Sequence, residues 1–381
     1  MKKWILVLIA LLVLAGGGFL VTRVMGGRGR AEWRPGTPLE PERINVGVIY
    51  ITDPTSETSG YAYSHEIGIR EMQRAIGLRD DQIIRKVNVQ DTSAEAVEHS
   101  IRECIAQGAN IVIATSWGYM ETCEKLADEF PLVIFTHATG VRHNETNFTN
   151  YSGRIYQPRY LSGIAAGLVT VTNKIGYVAA MGRDNSEVTG GLDAFALGVE
   201  SVNPDARIYV KVTNRWFDPM GEAQAARSLI TEGADVIAQH CDTPNPQLEA
   251  QSSGVWGIGY NSDMKNDAPR TTITSVVWNW GSYYIHLLES VIDGSFTTKT
   301  YYGGIDEGVV DLSPLDESLV PPGVAEAVAA ARERIMSAEF DVFEGVMETN
   351  DGSVVGVEGG ALSDEEIQSG IHWYYRNVVE P

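Results

Sequence analysis

The chain has 381 residues, of which 44% are hydrophobic and 21% charged, and a formal net charge of −21. That is room for two domains of ordinary size and the composition of a globular protein. Five of its 29 basic side chains fall in the first thirty residues, which hold no acid, so the remainder sets 24 basic against 50 acidic residues, or −26. A body this acidic argues against nucleic acid as a partner and against lying on an anionic lipid surface. It reads as a solvated acidic surface and does not imply a cationic ligand.

Lys2 and Lys3 precede an uncharged run over residues 4–21, which Arg23 closes. Its 18 residues lie near the lower limit for a spanning helix. A secretory signal has the same charged start and apolar middle, and Gly16-Gly17-Gly18 and Gly26-Gly27 supply small residues for cleavage. No cysteine lies here, which excludes a lipid-modified cysteine anchor. An anchor over residues 1–25 or a removed signal both export the body, which then meets the membrane only through this segment. Residues 26–43, rich in Gly, Pro and Arg, read as a tether.

From residue 44 onward, apolar runs alternate with helical patterns. Strands are predicted over 44–51, 83–90, 110–115 and 132–137, and helices over 60–76, 94–107 and 118–129, with Thr92-Ser93 available as a cap. A helix over 158–172 carries Gly163 and Gly167, small residues that permit close packing. The alternation then restarts. Strands are predicted over 174–181, 208–213, 235–240, 255–260 and 273–277, and helices over 186–202, 221–231, 246–253 and 283–293. A last helix falls within 320–340, and 343–360 reads as a hairpin or loop excursion.

The pattern implies an α/β fold of two doubly wound parallel-sheet lobes with a ligand cleft between them. The first lobe covers 44–157, with part of about 278–320 crossing back. The second covers 158–277, and a C-terminal helix and tail take 320–381. The cysteines Cys104, Cys123 and Cys241 fit no zinc spacing. Cys104 and Cys123, on neighbouring predicted helices, either pair in an oxidising compartment or stay as buried thiols.

Ligands of such sheets bind outside the carboxyl ends of the strands. The residues that follow the predicted strands are therefore the candidates. They include Thr52-Asp53, then Tyr61, Tyr63 and His65 at the first helix, Trp117, His137, Trp216, His240 with Asp242, Asn261, Trp278 and Trp280. Four of the eight tryptophans and three of the seven histidines fall in these places, a bias that core packing does not produce. Asp53, His65, His137, His240 and Asp242 form an acid–base group only if they converge. No nucleophile elbow, zinc-protease or phosphate-loop motif is present, and neither a cofactor nor a metal is implied. Rings for stacking and Asn or Asp for in-plane hydrogen bonds match a flat heteroaromatic ligand better than they match catalysis.

The chain resembles the basic membrane protein, or PnrA-like, family of ABC-transporter substrate-binding proteins. The residues that carry the resemblance are Val46-Gly-Val-Ile-Tyr50, Gly60-Tyr-Ala-Tyr-Ser-His65, Tyr156-Gln-Pro-Arg-Tyr-Leu-Ser-Gly163, Gly233-Ala-Asp-Val-Ile-Ala-Gln-His240, Gly257-Ile-Gly-Tyr-Asn-Ser-Asp-Met264 and Ser275-Val-Val-Trp-Asn-Trp280. The resemblance implies a type I periplasmic-binding-protein fold, no enzymatic activity, and a purine nucleobase or nucleoside delivered to ABC permease subunits by a monomer that closes its lobes. By position it implies that Tyr61 or Tyr63 stacks from the first lobe and Trp216 from the second, and that Asn261 bonds the ligand. Trp278 stands where nucleoside-binding relatives carry a basic residue, and Tyr61-Ala-Tyr-Ser-His65 replaces their Asp- and Asn-bearing loop. Both departures favour a free base such as adenine or guanine. The alternatives are a sensing ectodomain that signals through a separate membrane partner and, third, a nucleoside-processing enzyme.

Overall fold

A computed structural model describes residues 33–380. The apolar run at 4–21 and the first part of the tether, 26–32, lie outside the described residues. Among the described residues no helix is long and apolar enough to cross a membrane.

Two sheets form the frame. The first runs β1 (Val46–Ile49), β2 (Ile83–Lys86), β3 (Ile111–Ala114), β4 (Ile134–Ala138) and β5 (Phe148–Gly153) in chain order. The second takes β6 (Lys174–Ala179), β7 (Arg207–Val212), β8 (Val236–His240), β9 (Trp256–Asn261) and β10 (Thr272–Trp278). The short β11 (Tyr301–Gly303) then joins the first sheet and β12 (Val310–Leu312) the second. The spatial orders are β11-β5-β4-β3-β1-β2, and β12-β10-β9-β8-β6-β7 with a last strand added at the β7 edge. All named pairs are parallel except β12 on β10. Inner strands such as β1, β3, β4, β8 and β10 are buried at every residue, as parallel strands covered on both faces must be. The edge strand β2 is buried only at Ile83.

Helices α1 (Tyr61–Ile76), α2 (Ala94–Ala106) and α3 (Met120–Glu129) cover the first sheet. Ser93 caps α2 by accepting from the Ala96 amide at 3.3 Å. The second sheet is covered by α4 (Tyr156–Val169), α5 (Ser186–Val202), α6 (Pro219–Thr231) and α7 (Asn245–Ser253). Helix α8 (Trp280–Asp293) returns to the first lobe, where a Cβ on Gly68 of α1 would stand 2.6 Å from the Gly281 amide. The chain thus passes between the lobes at 153–156, at 278–280 and at 303–310. Helix α9 (Val324–Met336) packs on α4, the antiparallel hairpin β13 (Glu344–Glu348) and β14 (Val354–Ala361) follows, and α10 (Asp364–Gly370) packs on α5. The last strand, β15 (Val378–Val379), pairs with β7. The C-terminal region is therefore part of the second lobe.

Two differences from the sequence-based elements have physical causes. The strand predicted to Gln90 stops at Lys86 because it lies at a sheet edge, where no further partner extends the ladder. Phe148–Gly153, reading FTNYSG, lacks the apolar run that marks a strand, yet it is buried at all but one position. Its neighbour Asn147 explains how such a polar strand is held, donating to the carbonyls of Ala127, Phe130 and Val133. The cysteines are free and buried, with Cys104 and Cys123 in the same apolar cluster under the first sheet. Burial pushes their thiols up to about 11 and about 12.

The α4–α5 contact is the closest helix approach in the second lobe. A Cβ on Gly163 would stand 2.1 Å from the Phe195 carbonyl, and one on Gly198 would stand 2.0 Å from the Tyr160 carbonyl. Neither obstacle is a movable side chain. Gly163→Ala is therefore expected to destabilise the fold by about 1–3 kcal/mol through overpacking. Gly370→Ala, with nothing within 4 Å, is expected to stay within about 0.5 kcal/mol of the parent. Urea denaturation midpoints of the two variants measure the difference, and equal midpoints would refute the tight contact.

Candidate functional site

The lobes meet along a seam set by Gly60, whose φ of 106° suits glycine and which precedes α1. A side chain there would place Cβ 2.7 Å from the Asp242 carbonyl. The Gly60 amide donates to Ser262 Oγ at 2.9 Å, and Thr58 Oγ1 donates to Asp267 Oδ1 at 2.6 Å. Cavities of about 240 Å³, beside Glu57, Tyr61, Phe217 and Asp242, and about 300 Å³, beside Ser64, Ser262, Trp278 and Trp280, open along the seam.

On the first-lobe side, three rings stack nearly parallel. Trp278 lies on Trp280 at 4.4 Å and 6°, and Trp280 lies on His65 at 4.6 Å and 8°. Trp278 closes the second-lobe strand β10 and Trp280 opens the first-lobe helix α8, so the stack bridges the crossing between them. Trp280 has rings on both faces and offers only its edge, where the buried Nε1 has no partner. His65 shares a 2.6 Å hydrogen bond through Nδ1 with the Tyr284 hydroxyl, which in turn meets the Tyr151 hydroxyl at 2.8 Å. Burial holds the His65 pKa well below its usual value, so the ring is neutral, and its Nε2 is unpartnered. Tyr61 stands edge-on to His65 at 4.5 Å.

On the second-lobe side, Arg159 of α4 is fully buried. Its guanidinium lies 4.3 Å over the Tyr260 ring, and Nη1 donates to the Gln239 carbonyl at 2.7 Å. Trp278 Nε1 donates to the Tyr260 hydroxyl at 3.1 Å, which donates to Glu187 Oε1 at 3.3 Å. His240 packs edge-on to Tyr260 at 4.4 Å and to Trp216 at 5.9 Å. Asn261 takes a φ of 70°, a conformation that asparagine tolerates, at the end of β9. Its Nδ2 donates to Asp242 Oδ1 at 3.0 Å while its buried Oδ1 is unpartnered.

Of the residues singled out from sequence, the structure brings Tyr61, His65, Trp216, Asp242, Asn261, Trp278 and Trp280 to this seam. His240 comes there too, packed against Tyr260 and Trp216, and Thr52 lines the cavity beside Tyr61; Tyr63, Trp117 and His137 do not come to it. Tyr63 is half-buried on α1 and joins none of the ring contacts. Trp117 is 61% exposed on a short turn before α3. His137 is enclosed in the first lobe, stacked on Phe148 and bonded to the Ala138 carbonyl, with burial pulling its pKa down to about 4. The acid–base group of Asp53, His65, His137, His240 and Asp242 does not form: Asp53 caps a turn through Thr55, and His137 is occupied in the core. Among the described residues no group of three or more His, Cys, Asp or Glu could hold a metal.

Sequence reasoning passed over Arg159 and Glu187, which the structure brings to this seam. A lone arginine inside the apolar stretch of α4 was the available signal for the first. Glu187 gave none beyond its place in the first turn of α5.

The electrostatics of the second-lobe wall are those of desolvated acids. Burial raises the Glu187 carboxyl from 4.5 to about 7, against a weak opposing bond from Tyr260. Burial also raises Asp242 well above its usual range; Asn261 opposes this, and the nearby carboxyls Glu222, Glu187 and Glu57 add to it. A carboxyl with a raised folded-state value binds its proton more tightly folded than unfolded, so stability falls as pH rises through the window from 4.5 to about 7. One group contributes at most about 1.4 kcal/mol per pH unit, less where solvent reaches it, and the Glu187 side chain is 29% exposed. Glu187→Gln is expected to flatten the decline of the urea midpoint between pH 5 and pH 7. A variant that declines as steeply as the parent would place the titration elsewhere.

Comparison with known proteins fits this geometry. Residues 45–341 match the family described as ABC transporter substrate-binding protein PnrA-like. A purine-binding protein of Brucella abortus is 33% identical over 93% of this chain and 96% of its own length. A Haloferax volcanii protein named as a candidate ABC transporter glucose-binding protein is 36% identical over 81% of this chain and 76% of its own. An ABC transporter solute-binding protein from Conexibacter woesei superposes with a TM-score of 0.65 at 22% identity, covering 78% of this chain and 98% of its own, which supports the two-lobed fold. The chain belongs to the PnrA-like family of ABC transporter substrate-binding proteins, extracytoplasmic receptors that hand a small molecule to permease subunits.

Proposed function

We propose that the ligand is a purine, a free base in preference to a nucleoside, held at the seam between the lobes by stacking and in-plane hydrogen bonds. One observation carries this reading. Tyr61 from the first lobe and Trp216 from the second are both half-buried beside Asp242, and among the described residues neither has a parallel ring partner. Along the same seam are the Asn261–Asp242 amide–carboxyl pair and the rings of His65 and Trp280, both in edge contact with Tyr61 and each with an unpartnered ring nitrogen. A purine offers two flat faces and a rim of alternating donors and acceptors, which is what such a set complements. The Brucella abortus relative, named for purine binding and matching along nearly its whole length, supports the reading. The N-terminal segment exports the receptor; as an uncleaved anchor it also holds it at the membrane beside its permease.

The Haloferax volcanii relative makes glucose the competing ligand, and a direct measurement separates the two. The purified protein is denatured and any small molecule it carries is identified by mass. Calorimetry then follows with adenine, guanine, hypoxanthine, their nucleosides and glucose. A purine in the extract, or purine affinity exceeding glucose affinity, is the expected result. Glucose binding without purine binding would overturn the assignment.

Truncating a stacking ring costs about 1–3 kcal/mol per base. Tyr61→Ala and Trp216→Ala are each expected to weaken purine binding by at least about 1 kcal/mol, whereas Trp117→Ala leaves it within about 0.5 kcal/mol. Unchanged affinity in either of the first two variants removes that ring from the site.

A further inference from the structure

Arg159 is the polar group in the second lobe that the fold explains least. It is 0% exposed, yet the structure gives its guanidinium a single hydrogen bond, from Nη1 to the Gln239 carbonyl, and leaves Nε and Nη2 buried without partners. No carboxylate lies within ion-pair distance of it among the described residues. The cation is stabilised by two aromatic faces, Tyr260 at 4.3 Å and Tyr177 at 5.7 Å. Those rings hold the charge but accept no N–H. A buried charge with unsatisfied donors is costly, and a protein that needed only bulk here would lose nothing by an apolar residue of similar volume. The position is also tied to the seam. Tyr260, which the guanidinium covers, bonds Trp278 and Glu187, and Trp278 stacks on Trp280 at the head of the first-lobe helix α8.

We infer that Arg159 is a specificity-determining residue that reads the acceptor edge of a 6-oxopurine, so that the ligand class is guanine, hypoxanthine and related oxopurines, not adenine. This rests on the purine reading above. Nε and a terminal nitrogen of a guanidinium form a planar fork, and the fork matches two adjacent acceptors in one plane. A 6-oxopurine presents such a pair at O6 and N7, the edge that arginine reads in guanine elsewhere. Adenine presents an amino donor beside N7, and that donor faces a guanidinium that accepts nothing. The other free groups suit the remainder of the ring. Asn261 Oδ1 accepts from a ring or exocyclic N–H, and Trp280 Nε1 donates to a ring nitrogen or carbonyl.

Calorimetry on the intact protein tests this with three ligands and one variant. Hypoxanthine is expected to bind roughly tenfold or more tightly than adenine, in line with the discrimination that a bidentate pair provides. Guanine is expected to bind better than 7-deazaguanine, which keeps O6 and lacks N7, by a similar factor. Both comparisons use the unmodified chain, so they stand even if substitution at a buried site impairs folding. Arg159→Gln, checked for a cooperative urea transition, is expected to lose affinity for hypoxanthine and to hold or gain affinity for adenine, because glutamine pairs with the adenine edge. Adenine binding as tightly as hypoxanthine, 7-deazaguanine matching guanine, or a folded variant that loses both bases equally would each overturn the role of Arg159 while leaving purine binding intact. Failure of every purine in the wild type would instead overturn the purine reading itself.

Discussion

The contact on which the rest of the seam depends is the stack of Trp278 on Trp280. The two residues are two apart in sequence and belong to different lobes. Asn279 between them, at φ −100° and ψ 64°, lies outside the extended region and turns the chain from β10 into the first turn of α8 with the two rings face to face. The crossing at 278–280 is thereby pinned by ring contact as well as by the chain. With His65 stacked beyond it, the pinned crossing ties α1 to β10.

Polarity along the seam follows from the same geometry. Strand ends in the second sheet present Gln239, His240, Asp242 and Asn261 to a region that the first lobe closes over, so their groups are desolvated before any ligand arrives. The acids respond by holding protons and the histidines by giving them up, which leaves a neutral, hydrogen-bonding lining where isolated ions would be costly. Arg159 is the exception: inside the protein its guanidinium meets two aromatic faces and a single hydrogen-bond acceptor, the Gln239 carbonyl. A neutral lining with a cation at one place suits the hydrogen-bond reading proposed for this seam.

Much of this fold was legible in the sequence, because buried parallel strands announce themselves as apolar runs such as Val46-Gly-Val-Ile and helices by their periodicity. Where burial is achieved through polar residues the signal fails. Phe148–Gly153 is a central strand written in Thr, Asn, Tyr and Ser, and nothing local distinguishes it from a loop. The site followed the same division. Rings at strand ends were visible as a class, but their faces were not: Trp280 is used edge-on between two other rings, and His137 turns into the core. Arg159 and Glu187 come from helices whose orientation only the assembled lobe fixes, so strand-end reasoning passed over them.

The three cysteines carry a practical corollary. Each is enclosed, and the same burial that raises their pKa values leaves almost no thiolate near neutral pH. The native chain is therefore close to silent toward thiol-directed labels. Single cysteines introduced at exposed sites, one on each lobe, would carry a fluorophore pair without deleting any natural residue. The interlobe distance would then be readable in real time, one molecule at a time, as ligand arrives and the permease takes it away.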